Sequence, residues 1–237
     1  MSRAVGEKLD RLLGRKNGLA ERAAALAGRL RELRAWQAAR LAQTYTDLRR
    51  EESTGEAVSF FLSDVYGPQE FTRRDQDVTR AARLLKHALP PRMLEVLSMA
   101  IELEVLSAEL DLEMAGRLPS GPLTAETYAV TYRAVGREDD RRLQIRLVVE
   151  IGRALARAVR TPLIGMALRA AHGPAHLAGL DVLQDFLERG FAAFRGLTTP
   201  ERLLATIERR ETRLMELLLA GGTVPSEAPQ AGGSSLR

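Results

Sequence analysis

The chain contains no cysteine, which excludes disulfides, thiolate metal sites and a cysteine nucleophile. Aromatic residues make up only 5% of it, with Trp36 the single tryptophan. Lysine is scarce too: Lys8, Lys16 and Lys86 are the only lysines among 35 basic residues. No apolar run is long enough to span a bilayer, and the opening Met1-Ser2-Arg3-Ala4-Val5-Gly6-Glu7-Lys8 lacks the apolar core of a signal peptide. No membrane insertion and a cytoplasmic location are therefore expected. Several chemical signatures are missing as well. There is no Glu-x-x-His pair of the di-iron bundles, no phosphate-binding glycine loop, no Gly-x-Ser-x-Gly elbow and no dinucleotide fingerprint. His172 and His176 are four apart, but Gly173-Pro174 intervenes, so the two need not share a helix face. His87 stands alone at an expected helix end. No metal and no cofactor are expected. The arginine-rich helix faces lack the interleaved aromatics on which bases stack, so nucleic acid is not expected as a partner.

What the chain has is helical periodicity. Its 237 residues suffice to bury a sizeable core. No strand pattern and no fixed-period repeat emerges, and we expect an all-α, bundle-like single domain of about seven to nine helices. Charge is unevenly placed. Residues 1–50 hold 12 basic and 5 acidic residues, a net of +7, whereas the remainder, with 23 and 26, nets −3.

The organisation reads in order as a flexible basic segment over residues 1–18, a helical domain over 19–219 and a disordered tail over 220–237. Leu26, Leu30, Leu33, Leu41 and Leu48 predict a long basic amphipathic helix over 20–50, with Trp36 as a packing anchor. That helix offers a seam for a homodimer. Pro90-Pro91 opens a helix over 92–117 that is apolar on two sides and acidic between them, so neighbours are expected on both sides. Its Glu104 and Asp111 are the candidates for inward carboxylates. Thr124 caps a helix ending before Gly136. A helix over 139–160 lines one face with Arg142, Arg146, Arg153, Arg157 and Arg160. Thr161-Pro162 and His172-Gly173-Pro174 mark further helix starts, and Leu177, Leu180, Leu183, Leu187, Phe191 and Phe194 continue the core pattern. Thr199-Pro200-Glu201 opens the last helix. Glu211 falls inside its apolar seam and is expected to pair with an arginine.

The stretch from Ser59 to Arg80 holds three of the six phenylalanines. Val58, Phe61, Leu62 and Val65 give one face of a short helix, which Tyr66-Gly67-Pro68 ends. Thr72 caps a second helix, whose stripe is Val78, Ala81, Ala82, Leu85 and Leu89. Asp75 sits in its first turn at the stripe's rim. Asp75 reads first as a capping carboxylate, and second as part of a site in which Tyr66, Arg74 and Asp75 face a ligand. Phe60-Phe61-Leu62-Ser63-Asp64-Val65-Tyr66-Gly67-Pro68, with Phe71 and Arg74-Asp75, resembles an uncharacterised bacterial family named for its FFLEELY motif. Gln37, Arg40-Leu41, Thr44-Tyr45 and Asp47-Leu48 upstream extend the resemblance, as do Leu106-Ser107 and Leu110-Asp111 downstream. Ser63, Asp64 and Val65 depart from the name motif, and the resemblance implies no activity.

Two classes of function follow, with nucleic-acid binding through the arginine-rich helix faces a distant third. The first is a non-enzymatic scaffold or regulatory module that binds another protein or a second copy of itself. The second is a small-ligand or metal-binding protein, open to catalysis, that uses Tyr66, Arg74, Asp75, Glu104, Asp111 and Glu211. The second needs those carboxylates around an open cavity; the first expects them in closed pairs with arginine.

Overall fold

A computed structural model describes residues 2–65, 91–177 and 180–225. Among them there are helices and no strand, as the periodicity predicts. The chain begins with α1 (Ser2–Gly18), α2 (Ala20–Ala25), α3 (Ala27–Thr44), α4 (Thr46–Arg50) and α5 (Gly55–Phe60), the last widening into a π-helical turn, Phe61–Val65. It resumes with α6 (Pro91–Arg117), α7 (Ala125–Val135), α8 (Glu138–Ala158), α9 (Pro162–Leu177), α10 (Asp181–Arg195) and α11 (Pro200–Leu219). The second helix predicted in the motif region, His87 and most of the tail lie outside the described residues. No helix among the described residues is long and apolar enough to cross a membrane.

The helix expected over 20–50 is present as a bent rod divided at Leu26 and Tyr45. Backbone hydrogen bonds cross both bends, from Leu30 N–H to Leu26 C=O and from Arg49 N–H to Tyr45 C=O, each at 2.9 Å. The second bend has a local cause. The Thr44 and Thr46 hydroxyls donate to the carbonyls of Arg40 and Ala42 at 2.9 Å, a back-bonding that bends helices.

Helix α6 is the axis of the domain and packs on α1, α3, α7 and α8. Leu94, Ile101 and Val105 meet Leu9, Leu12 and Leu13 of α1. Leu106 and Leu110 meet Leu147 of α8. Leu112, Met114 and Ala115 join Leu30 and Leu33 of α3, Tyr128 of α7 and Met215 of α11. A second cluster lies apart from α6, where Leu41, Tyr45 and Phe60 pack with Phe194 and Leu203. Helix α10 passes so close to Phe60 that a Cβ on Gly190 would stand 2.8 Å from Phe60 Cζ, so glycine there is a packing requirement.

The structure departs from the sequence expectations in four places. Residues 2–18 form a helix that buries three leucines, so they are not the flexible segment expected there; Gly14 and Gly18 weaken the pattern without stopping it. The ion pairs Lys8–Glu102 and Arg15–Glu109, at 2.6 and 2.7 Å and each 94 residues apart in sequence, show that α1 and α6 run parallel in register. Helix α9 continues through Pro174 to Leu177, with no new start at His172. The following helix begins only at Asp181, so Leu177 and Leu187 fall out of phase with the core and are exposed. Thr199 holds its cap position, followed by Pro200 at the first turn, but its side chain makes no capping bond. At α7 the expected cap forms fully, with Thr127 in place of the usual glutamate or glutamine of a capping box.

Between α7 and α8 the chain turns through Gly136 and Arg137, both left-handed at φ 63° and 55°. A non-glycine residue in that region is strained. Arg137 is held there by ion pairs to Glu109 (3.3 Å), Glu113 (2.6 Å) and Asp140 (2.7 Å).

Leu9 is fully buried. Leu9→Ala is expected to cost about 2–5 kcal/mol in urea unfolding. Removal of residues 2–18 is expected to lower the melting temperature by uncovering Leu94, Ile101 and Val105. An unchanged melting temperature would return this segment to the flexible role read from sequence.

Candidate functional site

Three α3 residues spaced by three, Arg34, Gln37 and Arg40, lie near one face of the helix. Opposite them α6 presents Asp111 and α11 presents Glu211. Arg34 Nε donates to Asp111 Oδ2 at 3.0 Å, and Gln37 Nε2 to Asp111 Oδ1 at 3.2 Å. Arg40 Nη1 donates to both oxygens of Glu211, at 2.8 and 2.9 Å. The bend at Tyr45 brings its hydroxyl to Glu211 Oε1 at 2.8 Å. Nearby, Arg210 bonds the Thr44 carbonyl and the Asp47 carboxylate.

Aromatic rings wall this polar seam. Trp36 stacks on Tyr128 with centroids 4.1 Å apart, and Tyr128 packs against Tyr132 at 5.8 Å. The Arg141 guanidinium, buried in the core, lies 3.4 Å above the Tyr132 ring. Its Nε donates to the Gly136 carbonyl at 2.8 Å, and Nη2 reaches Met114 Sδ. A ring face, a carbonyl and a thioether thus hold a buried cation, an arrangement suited to the weakly hydrated guanidinium.

The electrostatics follow from burial. Burial pushes the Asp111 carboxyl above the ordinary carboxylate range, more than Arg34 and Gln37 draw it down. For Arg40, burial opposes the charge, but the Glu211 carboxylate outweighs it, and its pKa rises. Burial raises the Tyr128 phenol, against Arg40 and Arg141. The Tyr132 phenol is pushed up to about 12, again by burial against Arg141. At neutral pH the seam therefore holds fixed cations and neutral phenols. Arg40 Nε is buried without a hydrogen-bond partner among the described residues.

Of the residues picked out from sequence, Tyr66, Arg74 and Asp75 lie outside the described residues. Glu104 forms an ion pair with Lys16. Asp111 meets Arg34 and Glu211 meets Arg40, so each of the three carboxylates has its own cation. Sequence reading did not single out Arg141, Tyr128 or Tyr132. The signal for Arg141 was present: it is in phase with Ile145, Val148 and Gly152, on the apolar side of a helix whose other arginines point outward.

Two measurements probe the seam. Glu211→Gln leaves the Arg40 charge without its counter-charge and is expected to cost about 3–5 kcal/mol, whereas the double change Arg40→Met with Glu211→Leu is expected to recover most of that loss in chemical unfolding. The second concerns pH. A carboxyl whose folded pKa lies above its unfolded value binds more protons in the folded state, so its contribution to stability falls as pH rises through that range. The stability of Asp111→Asn relative to the wild type is therefore expected to improve as pH rises above about 4; a difference independent of pH would remove the burial penalty assigned to Asp111.

No curated protein and no solved structure matches the chain. A family model described as "Domain of unknown function (DUF8198)" matches residues 18–225, from the end of α1 past the end of α11 and through the whole polar seam. With most of its length matched, the chain belongs to that family.

Proposed function

We propose that the protein is a non-enzymatic helical module that binds another protein through the outward face of α9. The observation that carries this reading is the spacing of Leu163, Met166, Ala170, Gly173 and Leu177 along that helix, alternately three and four apart, as at a helix–helix seam. Leu163, Met166 and Leu177 are 73%, 57% and 91% exposed, and α10 takes up the other side of α9. Ala170 and Gly173 between them let a second helix approach closely. Exposed Arg169 adjoins Ala170 on the same helix, and exposed Arg160 comes three residues before Leu163, so the occupant that fits is an amphipathic helix with acidic flanks.

The inward carboxylates support the same reading from the other side. Glu104, Asp111 and Glu211 are engaged by Lys16, Arg34 and Arg40, which leaves a ligand at the seam to compete with existing ion pairs. The homodimer seam read from sequence over residues 20–50 has Leu30, Leu33, Leu41 and Leu48 turned into the core, so we assign the protein partner to α9 instead. The resemblance of Phe60–Pro68 to the bacterial FFLEELY-motif family belongs to this reading too, with a cytoplasmic setting.

A photo-crosslinking residue at Met166, used in extract of the source cells, is expected to capture a protein whose linked peptide is an acidic-flanked helix. Capture is expected to vanish with Leu163→Glu and to be absent when the crosslinker sits at Glu201. Capture of a second copy of this chain, or none, would overturn the proposal.

A further inference from the structure

Along α6 the carboxylates from Glu102 to Glu113 are met by lysine or arginine. The α9–α10 hairpin breaks that pattern. Between these helices lies a cleft of about 280 Å³ lined, among the described residues, by His172, His176, Asp181, Gln184 and Asp185, none of them lysine or arginine despite the arginine-rich composition. Two of the chain's three histidines are here. They share the cleft because α9 runs unbroken through Pro174, placing His172 and His176 one turn apart on one side.

On the α10 side, Asp185 and Glu188 are three apart and lie on a common face. One ligand atom each from His172, Asp185 and Glu188 falls within 4.8 Å of the other two. His172 Nδ1 is 3.0 Å from Glu188 Oε1. A tetrahedral zinc with bonds of about 2.0–2.2 Å holds its ligands roughly 3.3–3.5 Å apart, so small side-chain rotations close this set around an ion. Gln184, 5% exposed, steadies the carboxylate from behind: its Nε2 donates to Glu188 Oε1 at 2.8 Å and to the Leu168 carbonyl at 2.7 Å. An outer hydrogen bond of this kind orients a metal ligand.

We infer that His172, Asp185 and Glu188, with His176 beside them on the cleft wall, form a site for one divalent metal ion of the zinc class, which clamps α9 to α10. The donor set of imidazole nitrogen and carboxylate oxygen, without thiolate, suits zinc and its neighbours better than magnesium or calcium, which favour all-oxygen shells. The site does not depend on the docking role of α9, and its test reads metal rather than partner.

The test is calorimetric titration of zinc chloride into the chelator-treated full chain, with cobalt(II) absorption as a second readout. One zinc per chain is expected, with cobalt giving the intense visible bands of a four-coordinate site. His172→Ala and Glu188→Gln, both at side chains open to solvent, are each expected to weaken zinc binding at least tenfold with the helical circular dichroism unchanged. Gln184→Leu is expected to weaken it roughly tenfold through the lost orienting bond. Absence of binding at roughly millimolar zinc, or an affinity unchanged in both His172→Ala and Glu188→Gln, would overturn the inference.

Discussion

The fold depends on neutralising α6. This helix is apolar on more than one side, so it must sit at the centre, yet Glu102, Glu104, Glu109, Asp111 and Glu113 go in with it. Burying a carboxylate without a partner is costly, so the surrounding helices must bring cations. Lys8, Arg15 and Lys16 come from α1, Arg34 from α3, and Arg137 from the turn before α8. The excess of positive charge in the first 50 residues and the acidity of α6 are two halves of one arrangement. Partly buried pairs with solvent-reaching cations such as these add modest stability individually; their weight lies in register, since a slip of α1 along α6 separates two or three of them at once while moving Leu9, Leu12 and Leu13 off their apolar seats.

This division of labour explains what could be read from the sequence. The all-helical class, the central place of the 92–117 helix, the turn at Gly136 and the arginine partner of Glu211 all follow from spacing, because a period of 3.6 is visible in one chain. Where α1 would dock was not legible. Its leucines at 9, 12 and 13 are a short pattern between glycines, and only the three-dimensional complement of Glu102 and Glu109 shows what they face. The ending of α9 at Leu177 was misjudged for a related reason. Proline at 174 reads as a break, but α9 runs through it to Leu177 and the next helix begins at Asp181. The site was legible in part. Glu104, Asp111 and Glu211 were recognised as inward carboxylates, whereas Arg141, held by a ring, a carbonyl and a sulfur, has no acidic counterpart in sequence to announce it.

The polar seam and the α9 hairpin are built to opposite rules. In the seam, Arg40 and Glu211 are fixed by several bonds within a wall of aromatic rings, and movement of one group would strand another. Buried networks of this kind favour a single arrangement over near alternatives. In the hairpin, apolar side chains face outward, and the described residues of the cleft wall are histidines, carboxylates and a glutamine. The tightly bonded centre and the apolar edge of α9 thus follow different packing rules within one helical domain.

The parallel docking of α1 on α6 also sets an order of events during synthesis. Lys8 leaves the ribosome 94 residues ahead of Glu102, its partner in the folded chain. At roughly 5–20 residues per second, α1 spends on the order of 5–20 s with Leu9, Leu12 and Leu13 uncovered before the face that receives them has been made. Its basic residues keep that waiting helix charged and self-repelling, so the cations that fix its final register also guard it against premature association while the chain is incomplete.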